Sequence, residues 1–235
     1  MNVKRWLIVG AAVVVALVVG GPFFYTHVIE GKAPKKLSLS SQTSGTASSD
    51  PSDSGSGASS ASVDDRWKVA SGSQAGYRVN EVLFGQTHEA VGRTSSITGQ
   101  LTLSGTTVNA GPFVVDMTSV SSDQDRRDRQ FQGRIMNTAT YPTATFKVSK
   151  PIQLASIPSD NVTTTVDVPG ELTLHGTTKS GTIKISARRN GGAIQVSGSV
   201  PVTFADYSIP NPSFAGVVTT QDHGVMEFLV NFTHG

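Results

Sequence analysis

Five histidines, His27, His88, His175, His223 and His234, are the side chains most able to do chemistry in this chain. None of them forms an i, i+4 pair on a helical pattern or falls at a spacing used for metal ligation. His88-Glu89 and Asp222-His223 are adjacent pairs, and adjacent residues on a strand point to opposite faces, so neither pair reads as a dyad. His175 stands on the polar side of an alternating run, where it is expected to hydrogen-bond a turn. Serine and aspartate are common enough that a Ser/His/Asp triad could be drawn almost anywhere, which makes drawing one uninformative. Nucleophile-elbow, phosphate-loop and dinucleotide fingerprints are missing from the sequence. The residues make no positive case for an enzyme: no catalytic residue and no metal ligand is assigned.

Composition narrows the classes further. A net charge of +2 and a pI near 8.9, with no Lys/Arg run interleaved with aromatics, give no case for nucleic acid. The chain has no cysteine, which excludes disulfides, thiolate metal sites and a cysteine nucleophile. The one dense charged stretch is Ser122–Asn137, where Arg126, Arg127, Arg129 and Arg134 alternate with Asp123, Asp125 and Asp128. Phe131 and Ile135 stand at helical spacing within it, and its acidic start suits a helix N-terminus. A short helix is expected there, closing one end of the fold. Its arginines read either as a solvated face with local ion pairs or as a cluster for a ligand headgroup.

The remaining chemistry is apolar partition. In Gly170–Arg189, Leu172 and Leu174 alternate with Thr173 and His175, and Ile183, Ile185 and Ala187 alternate with Thr182, Lys184 and Ser186. Period two puts one side of each strand in a dry interior. The short connection Gly176–Gly181 between them forces an antiparallel hairpin. The same alternation recurs at Tyr77/Val79, Ile97–Leu103, Phe113–Met117, Phe146/Val148, Val166/Val168, Ile194–Phe204 and Met226–Phe232. Ser104-Gly105-Thr106 and Asn190-Gly191-Gly192 are turn signals between runs. About eight strands with turns and no helical alternation indicate an all-β sandwich or an up-and-down antiparallel barrel. The inward set is Phe113, Val115, Met117, Phe146, Leu172, Leu174, Ile183, Ile185, Phe204, Met226 and Phe228. Phe214, in the Pro-rich stretch Ser208–Val218, is placed to cover a barrel mouth. An eight-stranded barrel has an interior that side chains fill or that holds one slender ligand, and the residues alone leave both open.

The N-terminal quarter has a different grammar. Lys4 and Arg5 precede an apolar run, Trp6–Tyr25, long enough to cross a bilayer as a helix. The Gly20-Gly21-Pro22 corner is a poor cleavage site, so an uncleaved signal anchor is expected over 6–25, with 1–5 as a cytoplasmic tip. Lys4 and Arg5 favour that orientation, whereas Lys32, Lys35 and Lys36 flank the other end. Residues 26–65 are expected to be a flexible linker, since Ser38–Ser62 is Ser, Gly, Ala and Asp with almost nothing apolar. The folded part is then 66–235.

Three motifs carry a resemblance. Val115-Asp116-Met117-Thr118-Ser119-Val120 followed by Arg127-Asp128, then Tyr141-Pro142-Thr143-Ala144-Thr145-Phe146, then Gly170–Lys179 (GELTLHGTTK) resemble the YceI-like family over about Arg66–Phe232. The resemblance implies a lipocalin-like eight-stranded antiparallel barrel outside the cytoplasm, with a polyisoprenoid held in the lumen of some members. It departs where the family commonly has a His-Ser pair (here Gln74-Ala75-Gly76) and a His two residues after Arg-Asp (here Gln130), so no histidine role carries over. Glu81–Arg93, usually part of an unbroken strand, reads as a long loop. Anchor and linker are consistent with the actinobacterial branch, which implies presentation on the outer face of the cytoplasmic membrane. The expected ligand is an isoprenoid or other amphiphilic lipid in the lumen, with no further cofactor. The membrane is contacted through the N-terminal helix, and a homodimer is left open. Two rivals remain: an envelope interaction module with a filled core, and a hydrolase or isomerase, which would need polar groups converging inside the barrel.

Overall fold

The alternating runs form strands, several of them longer than the runs themselves, and there are more strands than the pattern implied. The computed structural model describes residues 33–39, 66–83, 85–214 and 218–235. The expected cytoplasmic tip, the Trp6–Tyr25 run and most of the 26–65 linker lie outside them. Among the described residues no helix is long and apolar enough to cross a membrane. The described strands are β1 (Arg66–Val69), β2 (Gln74–Leu83), β3 (Gln86–Thr94), β4 (Ile97–Thr98), β5 (Gln100–Ser104), β6 (Thr107–Ala110) and β7 (Phe113–Asp116). After α1 (Asp125–Gln130) come β8 (Thr143–Val148), β9 (Ile152–Gln153), β10 (Thr163–Leu174), β11 (Thr177–Asn190), β12 (Ala193–Thr203), β13 (Val218–Thr220) and β14 (His223–His234). All fourteen belong to one strongly curled sheet whose pairings are antiparallel.

Fourteen strands stand where about eight were expected because β1, β3, β6, β9 and β13 lie outside the alternating runs and Ile97–Leu103 is split between β4 and β5, with local devices setting the breaks. Between β1 and β2 the Ser73 hydroxyl donates to the Ala70 carbonyl at 2.7 Å and accepts from the Asn231 amide at 3.0 Å, taking up a kink. Gly111-Pro112 parts β6 from β7, since proline has no N–H for the ladder. Grouped by these breaks, the pairings run β3 to β2, β2 to β14, then β12, β11, β10, β8, β7 and β4. β4 follows β3 in the chain after Ser95-Ser96, so the sheet curls back on its own starting segment.

Four local expectations need correction. Leu174 pairs with Thr177, so the β10–β11 turn is only His175-Gly176, not Gly176–Gly181. Both turn residues have positive φ (49° and 75°), the geometry of a two-residue hairpin turn, and Gly181 lies in the ladder opposite Gly170. Glu81–Arg93 is not a long loop: β2 runs to Leu83 and pairs with β3 through Leu83–Gln86. Met117 and Phe204 leave their strands and open 3₁₀ turns, Met117–Ser119 and Phe204–Tyr207. In the first, the Asp116 carboxylate accepts from the Thr118 amide (2.9 Å) and hydroxyl (2.6 Å), capping the turn.

α1 continues into a π-helical turn, Phe131–Ile135, within the span expected to be helical. It is tied down at several points. Gln132 Nε2 donates to the carbonyls of Met117, Thr118 and Val120, and Arg134 donates to those of Asn211 and Pro212. Arg127 pairs with Glu81 on β2 at 3.2 Å and with Asp123 one turn earlier. The helix is thereby fixed across one end of the curled sheet.

A candidate lipid-binding lumen

The inner face of the sheet encloses two cavities, one of about 720 Å³ at the helix end and one of about 240 Å³ beyond it. Ala75, Val115 and Met226 line both and form a waist between them. The larger volume lies in the range of small-molecule sites. Of the residues expected to face inward, Val115, Met117, Leu174, Phe204, Phe214 and Met226 line the helix-end cavity. Phe113, Val115, Phe146, Leu172, Ile183, Ile185, Met226 and Phe228 line the far one. The structure thus brings all twelve to one continuous inner surface.

Burial tells which of these residues are plugs and which are walls. Met117, Leu172, Leu174 and Phe204 are buried in packed core. Phe113, Val115, Phe146, Ile183, Ile185, Met226 and Phe228 are only half-buried although they point inward, because one side of each meets empty space. A filled barrel would bury them completely.

The aromatic rings leave room because glycines seat them. A methyl group at Gly92 would stand 2.3 Å from the Tyr77 ring, and one at Gly99 2.3 Å from Phe113. At Gly170 it would stand 2.3 Å from Phe146, and at Gly198 2.7 Å from Phe228. Each ring therefore lies flat along the wall over a bare stretch of neighbouring backbone. Contacts that close leave no space for a Cβ, and rings displaced by one would turn into the lumen. Sequence reasoning missed these glycines because an isolated glycine in a strand reads only as a weak point.

The two ends differ in polarity. Glu81, Gln124, Arg126, Arg127, Gln130 and Arg134 border the helix-end cavity. The far cavity is walled by aliphatic and aromatic side chains, with Ile97, Leu101, Leu103, Ile152, Ile194, Val230 and Phe232 beside the expected set. Tyr77 stacks on the buried Phe131 at 4.8 Å. Burial pushes its phenol well above the ordinary range, against the opposite pull of Arg127, so it is neutral at physiological pH. Phe214 is half exposed (51%) at the mouth, and its backbone exchanges hydrogen bonds with Val218. The arrangement suits a molecule with a polar end near α1 and an apolar tail running past the waist.

The histidines do other work. His175 does not bond its own turn: its Nδ1 donates to the Tyr207 carbonyl (3.2 Å), and its ring meets Tyr141 edge-on, joining the hairpin to the second 3₁₀ turn. His223 and Asp222 do pair, at 2.7 Å, because Asp222 precedes β14 and is free of strand geometry. That hydrogen bond holds the Asp222 carboxyl below its usual value, but both side chains are exposed at the surface. Among the described residues no group of three or more His, Asp or Glu is arranged to hold a metal ion.

Comparison with known proteins follows the same line. The model of the YceI-like domain matches residues 67–232. A UPF0312 protein of Vibrio parahaemolyticus is 32% identical over 117 residues, 47% of this chain, and the chain spans 58% of that relative's length. A polyisoprenoid binding domain from Saccharophagus degradans, implicated in plant cell wall breakdown, superposes with a TM-score of 0.58 at 18% identity, over 72% of this chain and 98% of that one. BcnA of Burkholderia cenocepacia gives 0.50 at 18% identity, over 68% and 95%. At these identities the structural likenesses establish the fold alone.

Proposed function

Because the chain belongs to the YceI-like domain family, we propose that its sheet closes as an eight-segment barrel whose lumen holds the tail of a polyisoprenoid or similar amphiphilic lipid. The protein would act as carrier, store or sensor of that lipid, with no catalytic step. The observation that carries this reading is the pair of apolar cavities joined at a waist and walled by rings seated on glycines. Apolar transfer contributes about 0.8 kcal/mol per methylene, so a tail needs no charged partner to be retained. The polyisoprenoid-binding fold of the Saccharophagus domain supports the choice of ligand class. The reading includes a single-pass anchor over Trp6–Tyr25 with the barrel outside the cytoplasm, supported by the length of that apolar run.

An interaction module with a filled core is disfavoured by the half-buried inner rings Phe113, Phe146 and Phe228. A hydrolase or isomerase would need uncommitted polar groups converging in the lumen. Of the groups bordering the helix-end cavity, Arg127 and Glu81 are engaged with each other and Arg134 with Gln130 and loop carbonyls, and among the described residues no histidine borders it to act as a base beside Arg126. Native mass spectrometry of the full chain, extracted from its own membranes, tests the proposal. A mass excess removed by organic extraction is expected, and apo protein alone would overturn it.

A further inference from the structure

Residues 33–39, inside the expected linker, lie against the outside of the barrel. The Pro34 carbonyl accepts from Arg78 Nη2 at 2.8 Å, and the Lys35 carbonyl accepts from Arg93 Nη2. The Leu37 amide donates to Glu227 Oε2 at 3.4 Å. The Leu39 carbonyl accepts from Arg188 Nη2 at 3.0 Å, and its side chain is 7% exposed. Seven consecutive residues, only the last of them in a helical turn, are thus pinned at both ends.

The face beneath them is built for this. Met226, Phe228 and Val230 of β14 face the lumen, so Glu227, Leu229 and Asn231 face outward, yet all three are buried. Glu227 holds Arg78 at 3.1 Å and Arg93 at 2.8 Å, and Arg78 also holds Glu89 at 2.8 Å. Glu227 and Arg93 are both paired with Gly76 in the ladders, and the missing side chain at Gly76 lets Arg93 reach across β2. Farther along, Arg188, Gln195 and Asn231 are direct cross-strand neighbours linked by hydrogen bonds of 2.8 and 3.1 Å. Two polar stations on β2, β3, β11, β12 and β14 therefore grip the two ends of one peptide.

From these contacts we propose that this outer face is a docking site for the chain's own Ala33–Leu39 segment, and that the segment is a releasable clasp. Two features make release cheap. Charged groups uncovered by it regain water, so the seam loses less on opening than an apolar one would. The connection from Leu39 to Arg66 must cross only from β11 to β1, three strand spacings or about 15 Å, whereas twenty-six residues fill it. A fixed strap needs no such surplus. With the proposed anchor, a consequence that rests on the reading above, residues 26–32 hold a clasped barrel within about 25 Å of the apolar run. Opening adds residues 33–65 to the leash, roughly 110 Å at full extension. The clasp then sets whether the lumen mouth stays near the bilayer from which a lipid would enter.

The test uses the full chain, whose lack of cysteine allows two to be placed, Lys35→Cys and Ser199→Cys, for electron-spin distance measurement. A docked segment gives one narrow distance. Leu37→Pro with Leu39→Ser, which removes the donor to Glu227 and the buried side chain without touching the sheet, should broaden it and, in the chain without the two added cysteines, speed tryptic cleavage after Lys35 at least tenfold. Glu227→Gln should do the same, provided that circular dichroism shows the sheet intact. A broad distribution in the parent, or a narrow one that the strap variants leave unchanged, overturns the clasp. No lipid is needed for this readout, so it stands or falls independently of lumen binding. On vesicles of anionic phospholipid, energy transfer from a dye at Ser199→Cys to labelled lipid should fall in the strap variants. Equal transfer overturns the standoff role, and no vesicle association in any variant overturns the anchor instead.

Discussion

Closing the waist of the lumen should cap the length of tail the protein can hold. Val115 lines both cavities and is half-buried, so a larger side chain there grows into empty space rather than into packed core. Val115→Phe fills the passage and denies a ligand the far cavity of about 240 Å³. If one five-carbon isoprene unit is excluded, about 0.8 kcal/mol per carbon amounts to about 4 kcal/mol, close to a thousandfold in Kd. The assay is equilibrium binding of prenols of increasing length, from geraniol to solanesol. For the parent, affinity should climb with each unit until both cavities are full, and Val115→Phe should plateau at least one unit earlier with short prenols unaffected. Met226→Ala opens the same waist and should leave the climb intact. Thermal unfolding of Val115→Phe should show a loss of no more than about 1–3 kcal/mol, the cost of imperfect overpacking. Superimposable length dependences for parent and Val115→Phe would refute the threading of a tail through the waist.

Other consequences follow from the same geometry. Gly198→Ala and Gly170→Ala force Phe228 and Phe146 off the wall, and each should destabilise the fold by about 1–3 kcal/mol and reduce the longest prenol bound. Calorimetry and the same length series read both effects. Phe214→Ala removes a half-exposed ring from the mouth, and a loss near 1 kcal/mol, part of the value of a fully buried ring, predicts lipid release about fivefold faster in stopped flow with unchanged thermal stability. Hydrogen bonds from Thr118 hold the Asp116 carboxyl below its ordinary value. Its contribution is complete above about pH 3.9 and lost as pH falls through the lower folded value. NMR titration should give a depressed midpoint for Asp116, and Thr118→Ala should return it toward the usual carboxylate range.

Much of the lumen was legible because a strand's alternation carries its own orientation. Once Phe113, Phe146, Leu172, Ile185 and Phe228 are read as one face, closing the sheet brings them together. The turns at Gly105 and Gly191, both with positive φ, were equally plain. The hollow itself was not, since filling and lining use the same residues. What separates them is where a ring can lie, and that depends on which residue sits across the ladder: Tyr77 opposite Gly92 and Phe228 opposite Gly198. The outer face was hidden for a related reason. Arg78, Arg93 and Glu227 occupy polar positions of alternating strands, which normally meet water, and only Ala33–Leu39 laid over them shows otherwise. That heptapeptide has two apolar residues beyond its alanine and proline, too few to mark it as docked. Asp222 and His223 were separated by assuming strand geometry for both, although only His223 has it.

The most direct measurement is photo-cross-linking of the purified full chain with a polyprenol carrying a diazirine at the far end of its tail. Peptide mapping should find the label on lumen residues of the far cavity, such as Phe146, Leu172 or Ile185, and unlabelled solanesol should compete for it. Label confined to the outer surface of the sheet, or a pattern that unlabelled lipid does not displace, would contradict a tail-binding lumen.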